Sequence, residues 1–538
     1  MNHIFSAVPD IKVPRSLFHR NHNLKTTIGT DFLYPIYVDE ALPADTFKCK
    51  QHIFGRLTTP LTPIMDNIYL DTFYFAVPIR LIWDDFLKFM GERPFGDDTT
   101  VYSVPQLSVD GGVPHYSLSD YLGIPPEVTC TFSTLWHRAY NLIYNTWFRD
   151  ENLCAPVPVG NRTETSTSHQ ESIDDYHLRR RGKRHDYFTS CLPWPQKGEQ
   201  PAIGVVGGIF PVSAAQDMSI YLHNSGPSAI ASGANISTGA SIAVDANSAA
   251  FKVSANNTHL LFPKSIAQAN LSVDLRNLGA VSINALREAF AIQHYLERLA
   301  LGGSRYIEQI RAMFGVVSPD ARMQRPEYLG GCSVPLNVTS VPQTSATDDV
   351  TPQGNLAAFV TAKSDCGWSK SFTEHCVIIG LANIRADLSY SQGLPRMFSR
   401  TTKYDFYFPQ LANLGEQAVL NKEIFLSGNS STDNDVFGYQ ERWAEYRYHP
   451  NMISGGFRPL SYNEEPADGY TSLEYWHLAQ KFESTPTLSS TFIEEHVPIA
   501  RTIADNSNHH TTFLLDGWFE VKCARPMPIY SVPGLKRL

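Results

Sequence analysis

The stretch Ile68-Tyr69-Leu70-Asp71-Thr72-Phe73-Tyr74-Phe75-Ala76-Val77 decides the fold class. β-branched and aromatic residues dominate it, and its near-continuous hydrophobicity predicts a strand buried on both faces. Pro60 and Pro63 precede it and Pro78 closes it, as turn-bounded strands require. Working outward, Leu33–Val38 and His52–Leu57 upstream, and Val377–Ile384, Tyr404–Phe408 and Phe513–Val521 downstream, carry the same signature. With 35 prolines and 34 glycines to punctuate the 538 residues, the composition favours an all-β scaffold with elaborate loops. Apolar residues at 43% and aromatics at 12% suffice for a large core.

Helices interrupt the pattern. Ile82–Met90 reads as a short amphipathic helix, and Thr131–Arg149 as a longer one whose aromatic stripe faces a core. Ile283–Leu301 is the best in the chain, with Ser282 as N-cap and Gly302-Gly303 as stop. It leads into Gly302–Gly331, where Ser304 is placed to cap a second helix through Ile307, Ile310, Met313 and Phe314, ended by Gly315. Ser318-Pro319-Asp320 then signals a turn, and Arg322–Glu327 an ordered loop closed by Gly330-Gly331. Leu473–Phe482 reads as a helix and 421–470 as long loops. Residues 1–30, with Lys12, Arg15, Arg20 and Lys25 among Pro9 and Pro14, read as an arm, either loose in solvent or laid against phosphates.

Between Pro201 and Leu275 the composition turns to Ala, Ser, Gly and Asn with almost no basic residues. Alternating apolar positions in Ala249–Val253 and Leu260–Phe262 favour a small β excursion over a disordered linker. No fixed-period repeat is visible.

The chemistry-bearing patterns of enzymes are missing: there is no G-x-S-x-G elbow, P-loop, H-E-x-x-H, C-x-x-C or strand-linked G-x-G-x-x-G. The acid pairs Glu441/Glu445, Glu464/Glu465 and Glu494/Glu495 raise the alternative of a polysaccharide-acting or sugar-binding β-sandwich. Adjacent acids diverge on an extended chain, however, and Arg442 and Arg447 offer the first pair local ion pairs. His19 and His22 in the arm, and His509-His510 side by side, do not converge as metal ligands, so no metal or other cofactor is expected. Eight cysteines without a metal spacing point to reduced, mostly buried thiols.

A net charge of −9 excludes a chain that adheres to nucleic acid over its whole surface, so any contact must be local. The densest candidate is Arg179, Arg180, Arg181, Lys183 and Arg184, five cations in six residues with Tyr176, Tyr187, Phe188 and Trp194 nearby as stacking faces. The same loop would equally serve as a salt-bridging contact between subunits. The N-terminus lacks a signal-peptide core and no run of eighteen apolar residues occurs, so the expected setting is a cytosol, with no membrane insertion.

Several strings resemble, in order, the major capsid protein of gokushoviruses, small icosahedral phages with circular single-stranded DNA: PLTPIMDNIYLDTFYFAVPIR (60–80), RRGKRHDYFTSCLPWPQKG (180–198), GGSRYIEQIRAMFGVVSPDARMQRPEYLGG (302–331), SVPQTSA (340–346), RADLSYSQG (385–393) and FGYQERWAEYRY (437–448). The resemblance implies an eight-stranded antiparallel jelly roll over residues 31–538, sixty copies in a T=1 shell, and no enzymatic activity. It makes 201–275 a variable insertion that builds a threefold protrusion and meets a host receptor, with Asn224, Asn235, Asn247 and Asn256 as candidate contacts. It also implies a small basic DNA-packaging protein, an internal scaffolding protein and a DNA pilot protein as partners, and a virion location after assembly in the bacterial cytoplasm.

Overall fold

The computed structural model describes the chain apart from residues 1–13, 59, 93–99, 161–168, 199–208, 212–241, 245–249, 254–257, 262–271, 275–282, 304, 343, 345–355, 459–472, 505–507 and 531–538. The chain divides into two compact units, one of Met1–Lys197 with Glu297–Leu538 and one of Gly198–Leu296.

Ten strands of the larger unit form two antiparallel sheets: β1 (Ser16–His19), β2 (His22–Ile28), β3 (Tyr34–Ala41), β4 (Thr46–Leu57), β5 (Ile68–Pro78), β6 (Glu327–Pro335), β7 (Asn337–Pro342), β8 (Leu356–Ser371), β9 (Cys376–Ala386) and β10 (Phe513–Arg525). The first sheet runs β1-β10-β4-β8-β7, with β2 also pairing β10 further along its length. The second runs β6-β5-β9-β3. Within the expected arm, Ser16–Ile28 is tied down: β1 and β2 are one interrupted edge strand, held where β10 offers unpaired backbone groups.

The two sheets read differently because they are covered differently. In β4 burial alternates residue by residue from Phe47 to Leu57, so one face packs inward and the other meets solvent. All eleven residues of β9 are buried, and β5 is nearly so, as the run Ile68–Val77 predicts. Between the sheets lie Ile36, Ile53, Leu70, Val360, Ala382 and Leu515, continued by Phe47, Tyr74, Trp368, Ile378 and Phe519. Behind the second sheet, helix α1 (Leu135–Ile143) sets Ala139, Tyr140 and Ile143 against Phe75, Val77, Val377 and Ile379. Full burial of each such aliphatic side chain contributes about 1.5–3 kcal/mol.

Insertions leave the sandwich at opposite ends. Residues 79–326 depart from the β5 end where Pro78 faces Cys376, and residues 387–512 from the end where Ala386 faces Ile68. A further core joins the two insertions, Tyr187 and Phe188 of the first packing with Val419, Ile424, Phe437 and Phe492 of the second. The smaller unit holds two antiparallel pieces, Ile209–Pro211 with Ser272–Asp274, and a three-stranded sheet of Ile242–Val244, Ala250–Val253 and Thr258–Leu261. Helix α2 spans Ile283–Gly302 and α3 spans Tyr306–Phe314. Gly315 ends α3 at φ +69°, the left-handed conformation expected of it. Ser282 and Ser304 lie outside the described residues; the Glu308 carboxylate accepts from the Arg305 N–H at the start of α3.

Several expectations are corrected. Ile82–Met90 is two single turns, Ile79–Ile82 and Phe86–Phe89, broken where Trp83 is extended. The helix of Thr131–Arg149 starts only at Leu135, after a short strand Cys130–Ser133, and ends in a π turn, Tyr144–Phe148. Tyr404–Phe408 is no strand, because the Asp405 carboxylate accepts from the Thr401 and Thr402 N–H groups and winds a short turn over Lys403–Asp405. Leu473–Phe482 is helical only over Glu474–Trp476; beyond it Gln480 N–H donates to Ser389, pulling the segment out straight. The loop region 421–470 contains a strand, Val436–Glu441, paired with Glu416–Leu420. Gly330-Gly331 is not a stop but part of β6, at a register shift opposite Tyr74. Among the cysteines, Cys332 of β6 and Cys366 of β8 form a disulfide between the two sheets, their Cα atoms 6.3 Å apart, while the other six are free.

Candidate nucleic-acid interface and assembly surfaces

The basic segment 179–184, part of the first insertion, is bonded through its backbone to the sandwich, to the rest of that insertion and to the second insertion. Arg181 N–H donates to Asp31 C=O (3.0 Å), Gly182 N–H to Phe148 C=O (3.1 Å), Lys183 N–H to Ile493 C=O (2.8 Å), and Glu495 N–H back to Arg181 C=O (2.7 Å). The Arg179 N–H donates to the Tyr140 hydroxyl of α1.

The side chains are largely consumed within the subunit. Asp71, 1% exposed on β5, accepts from Arg181 at 2.6 Å and from Arg385 at 2.9 Å, with Arg184 at 3.5 Å. Burial alone would raise the Asp71 carboxyl, but the Ser333 hydroxyl and the Arg181 and Arg385 guanidiniums outweigh it and hold it below the usual carboxylate range. Arg180 lies 3.8 Å from the buried Asp31 and over the Phe32 ring. Lys183 is buried, donates to the Phe492 carbonyl at 2.6 Å and sits over the Phe492 ring; desolvation lowers its ammonium to about 8. Arg179 bonds the Asp175 carbonyl. Only Arg184 of the five is exposed. Tyr176, Tyr187 and Phe188 are buried, which removes them as stacking faces. Buried cations without these acids would be prohibitively costly, so the charge density that stands out in the sequence is largely the charge the interior neutralises.

The arm residues are likewise placed. Arg20 binds Asp39 through two contacts of 2.7 and 2.8 Å, Arg15 bonds the Thr46 hydroxyl, and Lys25 stands exposed on β2 opposite Asp516. Lys12 and the four asparagines Asn224, Asn235, Asn247 and Asn256 lie outside the described residues. Of the paired acids, Glu441 binds Arg447 at 2.5 Å and Glu445 lies 3.6 Å from Arg400, so both are engaged in ion pairs. Among the described residues no group of three or more His, Cys, Asp and Glu is placed to hold a metal ion, and no helix is long and apolar enough to cross a membrane.

Two surfaces were not singled out by the sequence. The first is the solvent face of the β1/β2-β10-β4-β8 sheet, where Lys48, Lys50, Arg56, Lys363 and Lys522 project beside Phe54 and Trp518. Its signal is the period-two alternation of Lys48-Cys49-Lys50-Gln51-His52-Ile53-Phe54-Gly55-Arg56, in which every second residue is buried. The second is an aromatic run in the later insertion, where Phe398, Tyr404, Phe406, Tyr407 and Phe408 are 46–68% exposed.

A sequence profile described as capsid protein (F protein) matches residues 6–535. The chain belongs to this phage capsid protein family. Among relatives, capsid protein VP1 of Bdellovibrio phage phiMH2K is 40% identical over 99% of this chain and 97% of its own length. Those of Chlamydia phage 1 (39%, over all of this chain and 98% of its own) and Spiroplasma virus 4 (38%, likewise) are equally full-length. All three are gokushoviruses, as the sequence motifs imply, and the chain is a major capsid protein, a component of the virion.

Proposed function

We propose that sixty copies of this chain close into a T=1 icosahedral shell around a circular single-stranded DNA genome, the subunit being a jelly roll and not an enzyme. The strand order supports the jelly roll. Counting β1/β2 as one strand and setting β7 aside as an addition at one edge, the sheets are first-eighth-third-sixth and second-seventh-fourth-fifth of eight, the two interlocked Greek keys of that fold. The observation that carries the assembly reading is the run Phe398–Phe408: five aromatic side chains left exposed in one short segment are unusual on a solitary subunit and suit a contact repeated by symmetry.

In this reading the Gly198–Leu296 unit and the expected excursion 201–275 form the protrusion that meets a host receptor, with Asn224, Asn235, Asn247 and Asn256 as candidate contacts. Of the basic residues, Lys12, Arg15, Lys25 and Arg184 are offered to DNA, while Arg179, Arg180, Arg181, Lys183 and Arg20 act first within the subunit. A net charge of −9 leaves genome neutralisation to a separate small basic protein, and assembly in the host cytoplasm to internal scaffolding and DNA pilot partners. Electron microscopy of the purified chain, with its partners co-expressed, tests the proposal: closed isometric particles of uniform diameter are expected, and a monodisperse monomer under every condition would refute it.

A further inference from the structure

We infer that the solvent face of the β1/β2-β10-β4-β8 sheet is a single-stranded nucleic-acid platform, turned to the lumen of the shell. This rests on the reading of the chain as a capsid subunit around single-stranded DNA and names the surface that would touch it.

The register lays the face out in rows. Lys25, Asp516, Phe54 and Lys363 are successive cross-strand neighbours; the next row is Asn23, Trp518, His52 and Asp365; then come Glu520, Lys50 and Gly367; then His19, Lys522, Lys48 and Ser369. On the other side of the first row, Leu514 pairs Arg56. Six lysines and arginines (Lys25, Lys48, Lys50, Arg56, Lys363, Lys522) thus stand among three acids (Asp365, Asp516, Glu520), on a chain whose Asp and Glu outnumber its Lys and Arg by 53 to 44.

The acids are partly engaged. Asp365 lies 2.6 Å from His52 and 3.5 Å from Lys363, and Glu520 lies 4.0 Å from His52. Among the described residues no ion pair involves Lys48, Lys50, Arg56 or Lys522.

The apolar component is what separates a nucleic-acid platform from a merely basic surface. Phe54 is 50% and Trp518 43% exposed. They are diagonal neighbours on adjacent strands, roughly 7–8 Å apart in such a register; Lys363 is paired with Phe54, and Lys25 and Lys50 lie diagonal to Trp518. Two π-faces among phosphate-binding ammonium groups are the parts from which sequence-tolerant single-strand binding is built. Gly367 deepens the centre: with no side chain opposite Lys50, a depression opens, lined by Lys48, Lys50, His52, Asp365 and Ser369. A protein partner fits less well, because lysine is depleted at the cores of protein interfaces and here stands around the aromatics, with Lys363 opposite Phe54.

Particles assembled from the full chain carrying 5-iodouracil-substituted DNA, irradiated and digested, test the inference. Cross-links are expected on the β4 and β10 peptides that hold Phe54 and Trp518. The variant F54S/W518S is expected to form shells while binding a fluorescent oligothymidylate at least about tenfold more weakly than the unaltered chain. K48Q/K50Q/K522Q is expected to lower the slope of log affinity against log salt by about two units. Shells that form normally, bind the oligonucleotide unchanged and cross-link elsewhere would overturn the inference and leave the capsid reading intact. Equal solvent protection of this face in DNA-filled and empty shells would assign it to a protein and also overturn it. Failure of the unaltered chain to form any shell would instead strike the capsid reading.

Discussion

Replacing Asp71 with Asn should cost about 3–5 kcal/mol, because it keeps the shape of the side chain and removes the one charge around which three guanidiniums are gathered. The contributions are unequal. Arg385 is 5% and Arg181 13% exposed at the side chain, so both lose their nearest counter-charge in a low-dielectric setting, Arg385 keeping Asp387 at 3.7 Å; Arg184, 54% exposed, is screened by water and adds little. Guanidinium-induced unfolding of the full chain, followed by tryptophan fluorescence, should show a lower midpoint with unchanged slope. Because the folded Asp71 carboxyl is held below its ordinary 3.8, its stabilisation is present above that value and is lost as pH falls through the lower folded value. The gap between variant and parent should therefore close in acid. Adding Arg181→Gln to Asp71→Asn should recover part of the loss, since the two residues share one network. A single-variant effect under about 1 kcal/mol at neutral pH, within the range of ordinary surface changes and minor losses, would refute the hub.

Further outcomes follow from the same geometry. Arg181→Gln should destabilise by about 2–4 kcal/mol and Arg184→Gln by less than about 0.5 kcal/mol, read in the same unfolding assay. Glu495, pushed up to about 7 chiefly by burial, favours its neutral form in the fold; the stability this confers is full below the unfolded value of 4.5 and declines as pH rises through 7. Glu495→Gln should flatten the decline of stability between those limits in a pH series of melting curves. Gly367→Val should destabilise by about 1–3 kcal/mol, since a Cβ there would come within 2.4 Å of the Cys49 carbonyl oxygen; unchanged melting would contradict the close pairing of β8 with β4. Phe406→Ser with Phe408→Ser should leave the subunit's melting within about 1 kcal/mol of the parent while lowering particle yield in sedimentation.

What the sequence reveals here depends on where the determining contacts lie. The run Ile68–Val77 announces a doubly buried strand because its own composition settles the matter, and Gly315 announces a helix end because only a local conformation is at stake. The disulfide of Cys332 with Cys366 is not legible, since two strands of different sheets bring together residues 34 apart in sequence. The basic cluster is visible as composition, but its fate is decided by Asp71, Asp31 and Glu495, from more than a hundred to more than three hundred residues away. Arm residues Ser16–Ile28 look unstructured because their order comes from β10, at the other end of the chain. Conversely, the exposed sheet face is written plainly in the alternation of residues 48–56, and escapes notice because a cluster of five cations in six residues is the louder signal.

The central claim is a closed shell of sixty subunits, and the mass of the assembled particle tests it most directly. Native mass spectrometry or light scattering of purified particles freed of nucleic acid should give about 3.6 MDa, sixty times the 60.2 kDa chain. A stable species at 60.2 kDa alone, or a distribution of open polymers without a limiting mass, would contradict it.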